Sequence, residues 1–309
     1  MYKKIVYSKH LPTQRCGVAY FSSLLAKHLS AEQVNTFHGF SRCDELFINM
    51  DIYEFNESEV SSLLNFISSG CVKKTVLLMH DYRFTYLEDE LVKKCNAVIN
   101  LSGEPALRKV AGEKMLELFT PSSSELPILK FRKINRRPLS LSFGFFSPRK
   151  KSFKMYLSFY EYMLKKYPQW FHMVIVSTHV GDHNTDREFL GNYFNSDSIL
   201  LSDFIPNQLL SELISASDLG VFFYPTGIMQ NNAGPMAFFS QGKTVLTTYG
   251  KLTPSSYKRF TIDYRSLDKF DLSNLHKIKK LGSIAKSYYH HNLSWEVFMK
   301  EMYTFVKKF

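Results

Sequence analysis

The chain alternates short apolar runs with longer amphipathic stretches, and this alternation predicts an α/β protein. Continuous apolar runs at 75–79 and 97–101 are typical of strands buried on both faces of a parallel sheet. Apolar residues recur at helical spacing over 17–29 and 207–216, which predicts helices between the strands. Further strands are predicted at 5–8, 34–38, 51–55, 116–119, 139–145, 173–177, 199–201, 219–224, 244–247 and 260–262. Further helices are predicted at 58–69, 103–112, 151–166, 186–194, 233–241, 271–291 and 294–307.

A polar, basic segment at 130–138 interrupts this alternation, which then starts again. Such a segment, closed by Pro138, is typical of a boundary between domains. A length of 309 residues also favours two domains. We therefore predict two Rossmann-like, doubly wound domains that face each other across a cleft, the first over 1–135 and the second beginning at 136.

Composition excludes several classes of protein. Hydrophobic residues make up 45% and charged residues 22%, which excludes a disordered or fibrous chain. No apolar run approaches the roughly 20 residues of a membrane-spanning helix, and the first residues are too polar for a signal peptide. We therefore expect a cytoplasmic protein. Its four cysteines form no Cys-x-x-Cys pair, so we expect buried free thiols and no metal site.

The positive charge is concentrated in two places. The formal net charge is +11, and segment 130–166 alone contains eleven basic residues and one acid. Segment 273–309 contains seven lysines and two glutamates. This distribution indicates a polyanionic partner, such as a nucleotide diphosphate, nucleic acid or an anionic membrane surface. A solvated basic linker is the alternative interpretation of segment 130–166.

Four segments that follow predicted strands are candidate binding sites, because open α/β sheets bind ligands beyond the carboxyl ends of their strands. In the first, Gly17 begins a helix and lets a ligand approach backbone N–H groups. In the second, His80 and Asp81 follow an apolar strand and are suited to bind a hydroxyl or transfer a proton. An ordinary turn and a structural histidine are the alternatives.

The other two candidate segments carry glycines and, in one case, basic residues. In segment 143–151, Gly144 ends a strand, and Arg149, Lys150 and Lys151 begin the next helix, which suits a diphosphate. A solvated basic face is the alternative. Segment 224–236 is a polar loop whose backbone amides are suited to hold a sugar phosphate, unless it is an ordinary loop. Its candidate residues are Gly227, Ile228, Met229, Asn231, Asn232, Ala233 and Gly234.

Taken in order, these segments resemble a family 4 type glycosyltransferase of the GT-B fold, over most of the chain. The stretches that carry the resemblance are 15–20, 76–81, 97–102, 143–151, 205–219, 224–248 and 293–296. The resemblance implies sugar transfer from a nucleotide sugar with retention of configuration and without an obligate metal or other cofactor. It also implies that a second domain over 136–292 binds the donor, and that a helix over 293–309 packs back on the first, acceptor-side domain.

The resemblance assigns roles to the matching residues. His80 contacts the transferred sugar and Asp81 orients it, while Lys150 binds the donor diphosphate and stabilises the charge of the leaving group. Gly17 approaches the donor phosphate or the acceptor. The backbone of 227–234 holds the sugar and the distal phosphate.

The sequence departs from the family at positions that usually carry charge. Met229 and Ala237 occupy the places of a glutamate pair, and Asn231 and Asn232 replace two arginines. The diphosphate site therefore has fewer of the family's charges, unless Arg149, Lys151 or Lys154 substitutes for them.

The sequence thus predicts a glycosyltransferase that uses a UDP- or GDP-sugar and a hydroxyl acceptor. The acceptor we expect is a bacterial surface-glycan or lipid-linked precursor, with the basic stretch 130–166 in peripheral contact with the inner face of an anionic membrane. One alternative is a phage-type enzyme that glycosylates hydroxymethylated bases in duplex DNA. Another is an inactive subunit that binds a nucleotide or a partner, which the missing glutamate pair favours.

Overall fold

The computed structural model describes residues 3–14, 17–36, 42–51, 55–122, 137–144, 153–176, 199–202 and 205–309. The chain divides into two compact units. Unit 1 comprises Met1–Thr120 together with Trp295–Phe309, and unit 2 comprises Pro121–Ser294. Each unit contains one parallel sheet of six strands, so the predicted pair of doubly wound α/β domains is confirmed.

Strands and helices alternate along the described residues. The strands are β1 (Lys4–Tyr7), β2 (Glu32–Val34), β3 (Cys43–Met50), β4 (Val72–Met79), β5 (Ala97–Asn100), β6 (Met115–Glu117), β7 (Leu139–Gly144), β8 (Phe171–Val176), β9 (Ile199–Ser202), β10 (Leu219–Phe222), β11 (Thr244–Thr247) and β12 (Thr261–Asp263). The helices are α1 (Gly17–Leu29), α2 (Glu57–Ser68), α3 (Tyr86–Lys94), α4 (Leu107–Ala111), α5 (Phe153–Lys166), α6 (Asn207–Ala216), α7 (Ala233–Ser240), α8 (Leu275–Asn292) and α9 (Trp295–Val306).

Unit 1 has the strand order β2-β1-β3-β4-β5-β6, and helices cover both faces of its sheet. One face, which includes Ile48 and Leu77, packs against α2, α3 and α4. The opposite face, which includes Phe47 and Val76, packs against α1 and α9. The predicted return of the last helix to the first domain is therefore confirmed. Its side chains bury apolar surface that stabilises unit 1 by about 1.5–3 kcal/mol for each large residue.

Unit 2 has the strand order β12-β11-β10-β7-β8-β9. Its first strand, β7, therefore lies in the middle, with β8 and β9 on one side and β10, β11 and β12 on the other. Helix α7 is buried along most of its length and packs closely on β10, where the ring of Phe238 lies 2.8 Å from the position a Cβ atom would take at Gly220. The order of the strands reverses between β7 and β10, which makes this the switch point of the sheet.

Several predicted boundaries differ from the structure. The strand expected at 51–55 is found earlier, as β3, because buried Asn49 interrupts its apolar run and hides it. Helix α2 begins one residue before the predicted start and is capped by Asn56. Helix α4 is shorter than the predicted 103–112, and Pro105 precedes it. The predicted helix 186–194 and most of the basic segment 130–138 lie outside the described residues.

The cysteines that the structure describes are free thiols. Cys43 and Cys95 are buried, and burial raises their pKa values to about 11 and about 12, so both stay protonated. Cys71 is only half-buried, contrary to the expectation, because it lies just before β4 at the outer end of the sheet. Cys16 lies outside the described residues.

A buried histidine in the core of unit 2 makes stability depend on pH. His172 on β8 is fully buried, and its Nδ1 lies 2.7 Å from Ser140 Oγ on β7. Burial, assisted by the charge of Arg137, lowers the pKa of His172 from 6.5 to about 3. The folded chain therefore keeps this ring neutral at a pH where the unfolded chain binds a proton.

We expect the free energy of unfolding of unit 2 to fall as the pH drops from about 6.5 toward 3, because only the unfolded state gains the proton. Between about pH 7.5 and pH 5 the contribution of His172 amounts to about 2 kcal/mol. Denaturant titrations of the wild type and of His172→Gln at both pH values measure it. An equal pH dependence in the two proteins would contradict the assignment.

Candidate functional site

The switch point of unit 2 brings two predicted candidate segments together. Strands β7 and β10 are neighbours in the sheet, and both run toward the same edge. Gly144 ends β7 with φ at 107°, a left-handed conformation that favours glycine. Beside it, the ring of Phe143 packs against Phe222 at the end of β10 and against Phe238 of α7. The glycine turn and the loop before α7 therefore lie at the edge where open α/β sheets bind ligands.

Thr248, just after β11, anchors the loop that precedes α7. Its hydroxyl accepts from the Tyr224 N–H (3.0 Å) and donates to the Tyr224 carbonyl (2.6 Å). Its carbonyl accepts from the Ile228 N–H at 2.8 Å. Thr248 could not be identified from the sequence, because a threonine after a strand gives no signal of such a role.

Two glycines in unit 2 allow the loops after β10 and β11 to touch backbone to backbone. Gly227 has φ at 86°, and a Cβ atom there would lie 2.2 Å from the Gly250 nitrogen. A Cβ atom at Gly250 would lie 1.8 Å from the Thr226 oxygen. No other residue fits at these positions without displacing the backbone, so this contact fixes the shape of the loop.

The backbone amides of this loop divide into two groups. The N–H groups of Gly227, Ile228, Met229 and Asn232 donate within the loop or to Thr248. The side chain of Asn232 accepts from Met229 and makes no capping bond to α7. Ile228 is fully buried.

Two further predicted amides begin α7. Ala233 and Gly234 are the first two residues of this helix, and Pro235, which has no N–H, follows. Gly234 is required by packing, since a Cβ atom there would lie 2.9 Å from the ring of Phe222. A helix start is a favourable place for an anion because its N–H groups point outward with the positive end of the helix dipole.

The charged candidates of unit 2 are described only in part. Arg149, Lys150 and Lys151 lie outside the described residues, whereas Lys154 is exposed in the first turn of α5. Ala237, at the place of a family glutamate, is 3% exposed and faces the core. Position 237 therefore offers neither a charge nor an open surface.

In unit 1 the candidate residues meet through a buried asparagine. His80 follows β4 and is buried, and its Nε2 lies 2.9 Å from Asn49 Oδ1 at the end of β3. The Asn49 Nδ2 donates to Ser22 Oγ (2.7 Å) and to the Val18 carbonyl (3.1 Å). The asparagine thus connects His80 with the first turn of α1, which begins at Gly17.

These hydrogen bonds fix the tautomer of the histidine. The carbonyl of Val18 can only accept, so the nitrogen of Asn49 faces α1 and its oxygen faces His80. The His80 Nε2 therefore carries a hydrogen and donates it. In the neutral ring Nδ1 is the accepting nitrogen, which is suited to a hydroxyl donor.

Aromatic side chains pack against His80 from the face of the sheet that α1 and α9 cover. The ring of Phe21 on α1 meets the imidazole edge to face at 5.2 Å, and Trp295 of α9 lies 4.9 Å from the ring of Phe21. Asp81 follows His80 and is half-buried. The structure thus places His80 and Asp81 at the carboxyl end of β4, on a strand next to β3.

Asn49 is a site residue that the sequence analysis missed. It is fully buried within the strand run Leu46–Met50, where a polar side chain needs a partner. An isolated asparagine in an apolar strand was the available signal. The pairing with His80 could not be inferred, because the two residues are separated by 31 positions.

Two negative findings apply to the described ranges only. There, no group of three or more His, Cys, Asp or Glu side chains is placed to hold a metal ion. In the same ranges, no helix combines the length and the apolar character needed to cross a membrane.

Comparison with known proteins relates the chain to solved structures. No protein-family model and no curated protein sequence matches it. Anabaena HepE, solved with UDP-glucose, superposes with a TM-score of 0.71 at 11% identity, covering 100% of both chains. An alpha-glucosyltransferase solved with UDP and a 13-mer DNA gives 0.67 at 14% identity, covering 99% of this chain and 100% of that one.

A third similar structure is WaaG, a glycosyltransferase involved in lipopolysaccharide biosynthesis. Its TM-score is 0.63 at 10% identity, and the superposition covers 97% of this chain and 98% of WaaG. At these identities the likeness establishes architecture rather than activity. Together with the two six-stranded parallel sheets, it shows that the chain has the two-domain GT-B fold.

Proposed function

We propose that the protein is a glycosyltransferase that moves a sugar from a nucleotide donor to a hydroxyl acceptor. The observation that carries this proposal is the switch point of unit 2. There, Gly144 and the helix start at Ala233 and Gly234 lie at the same sheet edge. An open helix start next to a glycine turn is suited to the phosphates of a nucleotide sugar.

The donor site of the proposed enzyme combines backbone amides with positive side chains. The amides of Ala233 and Gly234 bind a phosphate, and Lys150 neutralises the charge that develops on the departing diphosphate. Arg149, Lys151 and Lys154 supply the positive charge that Asn231 and Asn232 lack. The amides of 227–229 hold the loop in shape instead of contacting the donor.

Unit 1 contributes the residues that act on the sugar. We assign His80 to the hydroxyl groups of the transferred sugar, with its Nε2 held by Asn49. Asp81 orients the sugar, and Gly17 leaves the backbone at the start of α1 open to the donor phosphate or to the acceptor. These roles follow from the family resemblance and from the hydrogen bonds around His80.

The identity of the donor is supported by the similar structures. HepE was solved with UDP-glucose and the alpha-glucosyltransferase with UDP, so we propose a UDP-hexose as donor, with a GDP-sugar as the alternative. The resemblance to family 4 favours retention of configuration and no obligate metal.

We propose a surface-glycan or lipid-linked acceptor for a cytoplasmic enzyme, with segment 130–166 in contact with an anionic membrane. Similarity to WaaG, involved in lipopolysaccharide biosynthesis, supports this assignment. Duplex DNA is a second candidate, which the neighbour solved with a 13-mer DNA favours. DNA binding is expected to weaken steeply with salt, whereas an uncharged acceptor would be insensitive to it.

A donor-binding measurement tests the proposal. We expect UDP-glucose to raise the melting temperature of the wild type, because a ligand that binds only the folded state stabilises it. Lys150→Ala is expected to lower the affinity for UDP-glucose by about tenfold to a hundredfold through the loss of a charged contact to phosphate. Isothermal titration calorimetry measures both proteins.

Lys165→Ala, which removes an exposed lysine at the end of α5, is the matched control and should bind UDP-glucose like the wild type. Equal affinity in Lys150→Ala and the wild type would show that the phosphate assignment is wrong. Absence of any shift with UDP-, GDP-, CMP- and ADP-sugars would contradict the proposed function itself.

A further inference from the structure

The loop that follows His80 exposes two aromatic rings. Phe84 is 59% exposed and Tyr86 is 73% exposed, whereas the other described aromatic side chains, apart from that of Phe309, are buried or half-buried. The other large apolar side chains exposed in that part of the chain are Leu209, Ile284 and Phe309, which lie far away in the sequence. Two exposed rings within three residues form a local patch that neither the fold nor the donor site requires.

A buried carboxylate holds this loop in one conformation. Glu88 on α3 is fully buried and accepts from the Arg83 N–H (2.9 Å), the Thr85 N–H (2.8 Å) and the Thr85 hydroxyl (2.8 Å). The Thr85 oxygen in turn caps α3 by accepting from the Glu88 N–H. The rings of Phe84 and Tyr86 therefore project from a fixed backbone.

Phe84 adopts a backbone conformation that residues other than glycine seldom adopt. Its φ is 66°, in the left-handed region. Its ring lies 4.7 Å from the ring of Tyr82, and the Tyr82 hydroxyl donates to Asp89. The exposed Phe84 ring therefore packs against a ring that a hydrogen bond holds in place. Glycine would adopt this φ without strain, yet the chain has a phenylalanine there. Strain of this kind is concentrated at functional sites.

The charge around the loop is opposite to that of the whole chain. Segment 81–104 contains five acids and three basic residues, whereas the chain carries a net charge of +11. The acids include Asp81 and Asp89, next to the aromatic residues. Phosphates of nucleic acid or anionic lipid would be repelled by these carboxylates, whereas sugar hydroxyls would donate hydrogen bonds to them. The local chemistry therefore favours an uncharged, hydroxyl-rich ligand.

We propose that Phe84 and Tyr86 form a stacking platform for a sugar ring of an uncharged oligosaccharide acceptor. The face of a sugar ring that carries C–H groups packs on the negative face of an aromatic ring, while Asp81 and exposed Arg83 lie within the same loop to bind hydroxyls. The platform begins four residues after His80, at the carboxyl edge of the sheet. This assignment rests on the proposed function, since it names the acceptor of that reaction.

Direct binding tests the platform without relying on catalysis. The probes are a set of neutral hexasaccharides of α- and β-linked glucose, galactose and mannose, a 12-nucleotide single-stranded DNA, and vesicles of phosphatidylglycerol and phosphatidylcholine. We expect the full chain to bind at least one hexasaccharide at about 150 mM salt, where surface charges are screened. The double variant Phe84→Ala/Tyr86→Ala should lose at least about tenfold in affinity for it.

Two further variants test whether the loss of binding could come from removing any exposed ring or from a loss of stability. Phe309→Ala removes another exposed phenylalanine of unit 1 and should leave hexasaccharide binding unchanged. Phe84→Gly removes the ring but relieves the left-handed strain, so it should melt at a higher temperature than Phe84→Ala and still lose affinity. If both variants lose affinity equally although their melting temperatures differ, the loss follows the missing ring and not the stability of the fold.

The outcomes separate the platform from the proposed function. Unchanged affinity in the double variant, or a wild type that binds no hexasaccharide, would overturn the platform. Binding of the DNA or the vesicles instead, lost in the double variant, would overturn the saccharide assignment in favour of that ligand. Binding of UDP-glucose to the wild type is measured separately by calorimetry, and its absence while hexasaccharide binding persists would count against the proposed function alone.

Discussion

Replacing His80 with alanine is expected to lower kcat/KM for sugar transfer by about a thousandfold, the range typical of a positioned catalytic histidine. The reason is that the ring is held in one tautomer and one orientation before any ligand binds. Asn49 fixes Nε2, and Phe21 packs against the imidazole at 5.2 Å. Steady-state kinetics with UDP-glucose and a hydroxyl acceptor measures the effect.

His28→Ala is the matched control for this variant. His28 belongs to the same unit and stacks on Trp295 at 5.0 Å, so its loss perturbs neighbouring packing without touching the proposed site. It should transfer sugar within about threefold of the wild type, as expected for an exposed residue. Similar rates for His80→Ala and His28→Ala would show that His80 is a structural histidine.

Asn49 is a positioning residue in this scheme, and its variants separate positioning from folding. Asn49→Asp places a carboxylate next to the His80 Nε2–H, which favours the charged imidazolium. In the pH profile of kcat/KM, the change that accompanies protonation of His80 should therefore move to higher pH. If Asn49 were purely structural, the substitution would lower kcat/KM equally at all pH values.

The second large effect concerns Gly227. Gly227→Ala combines the strain of φ at 86° with a Cβ atom 2.2 Å from the Gly250 nitrogen, so we expect unit 2 to lose about 3 kcal/mol in its free energy of unfolding. The loop before α7 should also lose its shape, because it depends on the same backbone contact. Denaturant unfolding and the affinity for UDP-glucose measure the two consequences.

Gly242→Ala distinguishes the clash from the strain. Gly242 has φ at 73°, but a Cβ atom there would meet nothing closer than the flexible side chain of Lys286 at 3.4 Å, with the Gly282 carbonyl oxygen at an ordinary contact distance of 3.7 Å. The expected cost is therefore about 1 kcal/mol, as for a left-handed position with free space. Equal losses in the two variants would mean that the contact between the two loops does not constrain the backbone.

Much of the fold could be predicted from local pattern alone. The apolar runs Val76–Met79 within β4 and Ala97–Ile99 within β5 predict burial on both faces of the sheet. Helices α1 and α6 begin and end where their apolar periodicity does. The place of His80 followed from the same reasoning, because a polar residue directly after a buried parallel strand lies at the ligand edge.

Features set by distant contacts could not be predicted in this way. Thr248 and Asn49 act on residues 24 and 31 positions away, and nothing in their immediate sequence reveals it. Some backbone amides of 227–234 cannot bind a phosphate because they already donate elsewhere. The Ile228 N–H donates to the Thr248 carbonyl, and the Met229 N–H donates to the side chain of Asn232. Helix α3 was missed because acidic residues interrupt its apolar spacing, and its capping box, Thr85 with Glu88, is the signal that identifies it.

Unit 1 is formed by two stretches that are far apart in the sequence, and this affects the order in which it folds during translation. About 175 residues separate Thr120 from Trp295, so the ribosome makes all of unit 2 before α9 emerges. At roughly 5–20 residues per second this interval lasts about 10–35 seconds, during which the aromatic face of α1 around Phe21 is uncovered. The nascent amino-terminal part of the chain is therefore expected to bind chaperones, because α9 can cover this face only after unit 2 has been translated.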